Sequence, residues 1–467
     1  MQSMEQGCTG DRFKERFVRS VRHPLLPVIM TGLMIRLILM PLLTYAYDIS
    51  FWATTIQNIM SGDGLYDMPG YYYSPVWGYI LGAVGFIGNV LLGITSMGGF
   101  FEELLPGIEL FENCYTSTAI VTTIEFNILI KVPLILSDVL VAWMLYSLVK
   151  EKTGDERKAA TGAALWFLCP IVIYMSSIHA TFDTFSVLFT LLSVMLLRKE
   201  HYLLAGMSIA TATFTKLFPA YLIVVLVAYT LARHRGDRNA IGKNIMKMAA
   251  GALIITLLIY APMLLDGTFA ESFFFITARV GGASVPTESE QDLFALLSSG
   301  GMRIVTLVQF VILPGICYLA YRMYIGGKGK TEEELDDRLL LLALVTTTFS
   351  LAWVPSPQYL LIIIPFLAYH IVAKDRRLIV PWVVMSVGAV LFAFSTSNFS
   401  LLLSLGAYTD IIELGTVISL MESMHVPVFG MPFQQLLFII TGIIEGVGIW
   451  MIFLYIYLRR REHVVNG

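Results

Sequence analysis

Three charged side chains stand where apolar runs give way to polar turns: Asp48, Asp183 and Lys216. Asp48 follows the first long apolar run directly and opens an amphipathic stretch. Ile49, Trp52, Ile56 and Ile59 fall on one side of it, and Thr55, Gln57 and Asn58 on the other. A carboxylate fixed at a membrane surface, beside a helix lying in the interface, suits proton abstraction from a hydroxyl of a lipid-linked substrate. The structural alternative is an N-cap for a 49–60 helix, and position alone leaves the two readings even. Asp183 closes Ser177-Ile178-His179-Ala180-Thr181-Phe182-Asp183 at the outer start of a span. It orients an acceptor, helps hold a divalent ion, receives a proton, or caps its helix, capping being the commoner role. His179 is a titratable group one helical turn away; an ordinary interfacial histidine is the commoner reading. Lys216, in Phe214-Thr215-Lys216-Leu217-Phe218-Pro219, neutralises a lipid phosphate or snorkels at a helix end. Pro219 breaks the helix and fixes where the ammonium points, which favours the phosphate.

Other residues carry weaker signals. Arg279 is a second phosphate contact in an outer loop. Gln358 and Tyr359 follow Pro357 at a span start, where they hydrogen-bond a sugar or phosphate, or pack in the interfacial belt. Tyr66 and Tyr73, with Tyr71, Tyr72 and Trp77, suit a sugar or an isoprenoid chain, and equally an aromatic belt. Arg36, Lys131 and Asp138 fall inside apolar runs. Charges there usually pair, so Arg36 and Asp138 are read as a structural pair. Lys131 lies nearer the outer surface and is expected to face the cavity. Asn398-Phe399-Ser400 matches a glycosylation sequon on the outer side. Cys8, Cys114, Cys169 and Cys317 are too scattered for a disulfide framework or a zinc site.

The elements that position these residues follow from composition. The 467 residues are 57% hydrophobic and 14% charged, with mean hydropathy +0.74. That is the composition of an all-α polytopic membrane protein. A net charge of −3 argues against nucleic acid as a partner. The basic N-terminus followed by an apolar run reads as an uncleaved anchor. Basic clusters at 150–158, 198–199, 233–247, 322–330, 374–377 and 459–461 are assigned to the cytoplasm. This gives about twelve transmembrane helices, at roughly 20 apolar residues each, with both termini cytoplasmic. They fall near 25–46, 124–150, 157–178, 183–198, 201–217, 218–232, 245–265, 303–325, 338–354, 357–373, 378–396 and 433–458. The run 76–98 is apolar enough to span, but a crossing there would put the lysines after 149 on the wrong face. It is read as a juxtamembrane or re-entrant piece of one long first extracytoplasmic loop, 47–123, and 400–421 is left in an outer loop for the same reason.

The order of motifs resembles the GT-C superfamily of glycosyltransferases. Asp48, Gly64-Leu65-Tyr66 and Tyr73-Ser74-Pro75 are similar to its first loop. Lys131-Val132-Pro133-Leu134-Ile135-Leu136-Ser137-Asp138 is similar to its second span. Trp166-Phe167-Leu168-Cys169-Pro170, leading to His179 and Asp183, resembles its Asn-Pro and Asp-bearing turn. Thr215-Lys216-Leu217-Phe218-Pro219 and Ser356-Pro357-Gln358-Tyr359 resemble its Lys-x-x-Pro turn and late Gln-Tyr signature. The nearest pattern is the transferase adding the first mannose of the glycosylphosphatidylinositol anchor, with prokaryotic polyprenyl-phosphate-sugar transferases. The resemblance covers about residues 25–370. It implies a polyprenyl-phosphate-linked sugar donor, an extracytoplasmic site, inversion at the anomeric carbon and Asp48 as the base. Relatives often carry Asp-x-Asp where this chain has Asp48-Ile49-Ser50, and Asn-Pro is Cys169-Pro170 here. No cofactor is therefore assigned, and a divalent metal lacks its second carboxylate.

The expected organisation is a cytoplasmic segment 1–24, a GT-C-like catalytic transmembrane module 25–265 and a C-terminal transmembrane module 266–467. The expected activity is transfer of a hexose, mannose first, from a dolichyl- or undecaprenyl-phosphate donor to a lipid-linked or protein-linked glycan acceptor. The rivals are a transporter or flippase, and a polymerase or ligase, of lipid-linked saccharides, and a non-catalytic scaffold subunit. A transporter should carry a charged path through the bilayer midplane. Here the polar candidates gather at one face.

Overall fold

The structure is a computed structural model that describes residues 23–66, 71, 73–93, 101–105, 119–272, 311–351 and 356–465. Arg279, Tyr72 and the N-terminal basic cluster lie outside the described residues. The fold is built of helices, with two small antiparallel hairpins: β1 (Phe101–Leu105) with β2 (Ala119–Thr122), and β3 (Pro427–Val428) with β4 (Met431–Pro432). The expected spans are largely helical where they are described, with breaks inside them at 40–45, 168–169 and 216–217. Five described helices are long and apolar enough to cross a membrane. A sixth is added if the pair Glu156–Phe167 and Pro170–His179, bent by 49°, counts as one span.

Helix α1 (Leu25–Leu39) stops before Pro41, which has no N–H to continue the ladder. An extended Tyr45 leads into α2 (Ala46–Ser61), which ends on a left-handed Gly62. Helix α3 (Pro75–Leu92) starts on its proline. Its Gly78 and Gly85 face α2 and the turn after it. A Cβ at Gly85 would lie 2.6 Å from Ile56, and one at Gly78 would collide with Leu65. The two helices therefore pack as a hairpin on small residues. Length and composition would let α3 span. It lines a groove with α4 (Ile124–Thr153) from Glu125 to Leu136, and with Thr211, Ile255 and Ile259.

The bundle continues with α5 (Glu156–Phe167) and α6 (Pro170–Tyr174), which runs into a π-turn at Met175–His179. Asp155 caps α5, accepting the N–H of Arg157 and Lys158. Those bonds hold its carboxyl below the usual range, Lys158 first and then Arg157. Next come α7 (Asp183–Arg198), α8 (Tyr202–Thr215), α9 (Ala220–Arg233) and α10 (Arg238–Asp266). Helices α11 (Val311–Gly326) and α12 (Glu332–Leu351) follow. A 3₁₀ turn, Pro357–Ile362, leads into α13 (Ile364–Ala373), then α14 (Ile379–Ser397) and, after shorter pieces, α15 (Phe433–Val465). One apolar core runs from Val141 to Ile452, through both halves of the chain. Outward apolar side chains such as Met34, Leu140, Trp143, Leu257 and Leu258 make a belt suited to lipid.

Helix α4 holds α1 at two heights. Deep in the bundle, Arg36 Nη2 lies 2.9 Å from Asp138, with both side chains wholly buried. Arg36 Nη1 also donates to the Phe167 carbonyl at 2.8 Å. The pairing expected from two charges in apolar runs is thus present. Lys131 does not face a cavity. Its ammonium donates to the Met40 and Leu43 carbonyls at 2.8 and 2.7 Å and to Thr44 Oγ1 at 2.8 Å. It satisfies carbonyls left over where α1 ends.

One end of the bundle is strongly charged. Asp337 accepts from Lys152 (2.8 Å) and Lys374 (2.6 Å). Asp336 accepts from Arg198 (3.0 Å) and from Tyr229. Asp48, Asp183 and Lys216 sit at the opposite ends of their helices. Two helix pairs cross on glycines. A Cβ on Gly206 would collide with the Met248 carbonyl, and one on Gly251 with the Leu203 carbonyl, so α8 and α10 touch backbone to backbone. Gly388 and Gly448 do the same for α14 and α15.

Two outcomes follow for thermal unfolding of the detergent-solubilised protein. Arg36→Met alone should cost about 3–5 kcal/mol by stranding Asp138, and adding Asp138→Leu should recover most of it. A double variant as unstable as the single one would count against the pair as the stabilising unit. Gly206→Val should cost at least about 2 kcal/mol by overpacking, whereas Gly242→Ala, which meets open space inside helix α10, should raise the midpoint slightly.

Candidate functional site

The connector between α1 and α2 is stitched to the π-turn. Tyr45 N–H donates to the Ile178 carbonyl at 3.1 Å, and Trp52 Nε1 to the Ala180 carbonyl at 3.1 Å. Ala180 holds a left-handed conformation, φ 58° and ψ 40°, which costs a non-glycine residue on the order of 1 kcal/mol or more. These contacts bring Asp48, in the first turn of α2, to His179. Asp48 Oδ2 lies 3.5 Å from His179 Nδ1, beyond ordinary hydrogen-bond length. Tyr45 stacks on the imidazole with centroids 4.2 Å apart and planes 12° apart. Neither aspartate acts as a side-chain N-cap: Tyr45 and Phe182 occupy those positions, without capping bonds.

A second cluster forms beside the first. Lys216, in extended conformation at the end of α8, donates to Asp183 Oδ2 at 3.2 Å. Its ammonium lies 4.4 Å from the ring centroid of Phe182, 5.0 Å from Tyr359 and 5.6 Å from Tyr73. Lys216 is thus a cation held between one carboxylate and three aromatic faces. Gln358 and Tyr359 line a hollow of about 10 Å³ with Asp183 and Lys216. Trp52, Tyr73, Trp77 and Phe182 connect the two clusters: Trp52 lies 5.7 Å from Phe182 and 5.4 Å from Tyr73, and Trp77 stacks on Phe182 at 5.1 Å.

The structure therefore gathers Asp48, His179, Asp183, Lys216, Tyr73, Gln358 and Tyr359 at one end of the bundle. Tyr66 is set apart. It is buried, and its hydroxyl donates to the Tyr73 carbonyl at 2.7 Å, supporting the loop. Arg279 lies outside the described residues. Among the described residues no three His, Cys, Asp or Glu side chains converge as a metal site would require. The sequon is not presented. Asn398 is 1% exposed and sits in a left-handed turn, where no transferred glycan would fit.

Sequence reasoning missed three features. Tyr45 and Phe182, the rings against His179 and Lys216, are direct neighbours of the flagged motifs, and that adjacency was the available signal. Glu445, in α15, is buried, and its oxygens have no hydrogen-bond partner in the structure. The largest omission is a groove of about 910 Å³ between α3, α4, α8 and α10. Val76, Ala83, Leu91, Val132, Leu136 and Ile259 are among its apolar lining, with Glu125, Tyr79 and Thr211 as its polar members.

Residues 108–288 match the family model of the GPI transamidase subunit PIG-U. The matched stretch is less than half of the chain. It takes in α4 to α10, and with them His179, Asp183, Lys216 and three of the four groove helices; Asp48 and α3 lie outside it. No curated protein matches the chain. The match is to a GPI-pathway membrane protein family and carries no indication of mannosyl transfer.

The two acid–base contacts should respond differently to amide substitution. Asp183→Asn removes the carboxylate holding a buried ammonium and should destabilise by about 1–3 kcal/mol. Asp48→Asn, at a longer and more exposed contact, should stay within about 1 kcal/mol of the parent. Equal losses in thermal unfolding would contradict this division.

Proposed function

We propose that this chain is a membrane-embedded subunit that holds a glycosylphosphatidylinositol-type lipid for a transamidase. The lipid chain occupies the apolar groove, and the polar part rests over the Asp48–His179 and Asp183–Lys216 clusters. The observation that carries this reading is the groove itself. It is large enough for a substantial ligand, and three of its four helices belong to the stretch matched by the PIG-U family. An anchored lipid needs an apolar slot beside a polar shelf. Lys216 supplies a cation toward a phosphate, with Asp183 fixing its position. The buried thiol Cys169 lies against Ser386 and not against a histidine, so it is not activated as a nucleophile for peptide transfer. That suits a holding role within a complex whose chemistry lies in another subunit.

A second reading is kept for one observation. The Asp48 carboxylate is partly exposed beside His179 at the same end, as a general base for an acceptor hydroxyl would be. On that reading the chain transfers a hexose, mannose first, from a polyprenyl-phosphate donor with inversion. The phosphate departs without a protein acid, and Lys216 stabilises its charge.

One experiment separates the two. Purified chain is offered a photoactivatable GPI lipid, and in parallel a panel of radiolabelled polyprenyl-phosphate sugars with glycolipid acceptors. Labelling by the GPI lipid should fall roughly tenfold in Ala83→Trp and Val132→Trp, which fill the groove from exposed positions, and persist in Asp48→Asn. Sugar transfer that vanishes in Asp48→Asn would overturn the holding role in favour of the transferase.

A further inference from the structure

At the charged end of the bundle, far from the groove, a second cavity of about 760 Å³ opens between α11, α12, α13 and α15. Its floor is apolar, with Leu319, Val345 and Phe453 among its lining, and its rim carries Arg322, Lys330, Arg338 and Lys374. Three carboxylates also reach the rim, and each is already paired. Glu334 holds Lys330 at 2.6 Å, Asp337 holds Lys152 and Lys374, and Asp375 holds Arg377 at 3.1 Å. Lys152 and Arg377 lie outside the cavity lining, so the rim keeps an excess of positive charge. Arg338 Nη2 donates to the Arg322 carbonyl at 2.5 Å, and its guanidinium lies where a Cβ on Gly326 would be. Arg338 thereby fixes α11 against α12. Arg322 Nη1 donates to the Tyr318 hydroxyl at 3.3 Å, a neutral partner. Beyond Tyr457, which also lines the cavity, α15 continues into Arg459-Arg460-Arg461.

We propose that this cavity binds an anionic phospholipid of the leaflet at the charged end, with the headgroup phosphate on Arg322 and on Lys330, whose ammonium it shares with Glu334, and an acyl chain over the Leu319–Val345–Phe453 floor. Charge complementarity selects the occupant. A basic rim over an apolar floor, between helices at the membrane surface, matches a lipid that carries both features. A neutral lipid would leave the cationic rim without its counter-charge, and a soluble anion would leave the floor uncovered. By the positive-inside rule the leaflet is the cytoplasmic one, where anionic lipids concentrate. The site is separate from the groove at the other end, so it does not depend on the GPI-holding reading.

The test reconstitutes the full chain in nanodiscs of phosphatidylcholine with phosphatidylserine or phosphatidylinositol phosphate, extracts it, and reads retained lipid by native mass spectrometry. Arg322→Gln/Lys330→Gln removes two rim charges at accessible positions, and Val345→Trp fills the floor. Anionic lipid should be retained by the parent and by Ala83→Trp. Its retention should drop roughly thirtyfold in the double charge variant, and it should be displaced in Val345→Trp. Equal retention of phosphatidylcholine, or anionic lipid undiminished in both cavity variants, would overturn the proposal. Protection by soluble inositol phosphates as strong as that by the lipid would overturn it too, by showing a headgroup site alone. Loss of anionic lipid in Ala83→Trp would place the lipid in the groove instead.

Discussion

A buried cation with nowhere to go but α1 governs the end of this protein that carries Asp48. Lys131 projects from a helix surrounded by apolar side chains, and its ammonium must find oxygen atoms or lose its charge. It finds the Met40 and Leu43 carbonyls and the Thr44 hydroxyl. That contact fixes the level at which α1 stops. Deeper in, the Arg36–Asp138 pair fixes its rotation and depth. With α1 held twice along α4, the connector can reach the π-turn, and Asp48 meets His179. The geometry of the Asp48–His179 face is thus inherited from two contacts of buried cations inside the bundle.

The polar face joins elements from across the chain. Asp48 comes from the start, His179, Asp183 and Lys216 from the middle, and Tyr359 from the last third. The two carboxylates differ in circumstance. Asp183 is committed to Lys216 within an aromatic surround, which makes the pair a fixed charge distribution that a phosphate can lean on. Asp48 is looser and nearer solvent. Position would favour it as a base, yet it stands outside the stretch matched by the PIG-U family. On the proposed readings, a holding role would draw on the middle of the chain alone, and a transferase role would add Asp48 from its beginning.

How much could be read beforehand depended on whether a residue's constraint was local. Arg36 and Asp138 were legible as partners because a charge in an apolar run has few alternatives. Asp48, His179, Asp183 and Lys216 were legible as neighbours because each stands where an apolar run ends at the same face. Lys131 was misread because its partners are mainly backbone carbonyls, which leave no trace in residue type. The groove was invisible for a related reason: its lining is ordinary apolar residues from four separate helices, and only their placement makes a cavity. Asn398 shows the converse error. A three-residue pattern says nothing of burial, and here a left-handed turn folds the amide inward.

The glycine crossings give the groove two walls of unequal stiffness. Helices α8 and α10 meet backbone on backbone through Gly206 and Gly251, so their separation cannot change without breaking that contact along its length. Helix α3 is tied differently. Its glycines meet the side chains of Ile56 and Leu65, belonging to α2 and the turn after it, so α2 and α3 travel together while the contact to α4 and α10 is left to side chains. Mechanically, the groove resembles a jaw with one fixed and one hinged plate. A long chain entering sideways from the bilayer would be admitted by tilting the α2–α3 hairpin, which would break the Trp52–Ala180 hydrogen bond, the Trp77–Phe182 stack and the Tyr79–Ile259 hydrogen bond. Asp48 rides on that hairpin, so the distance between Asp48 and His179 would report whether the jaw is open or shut.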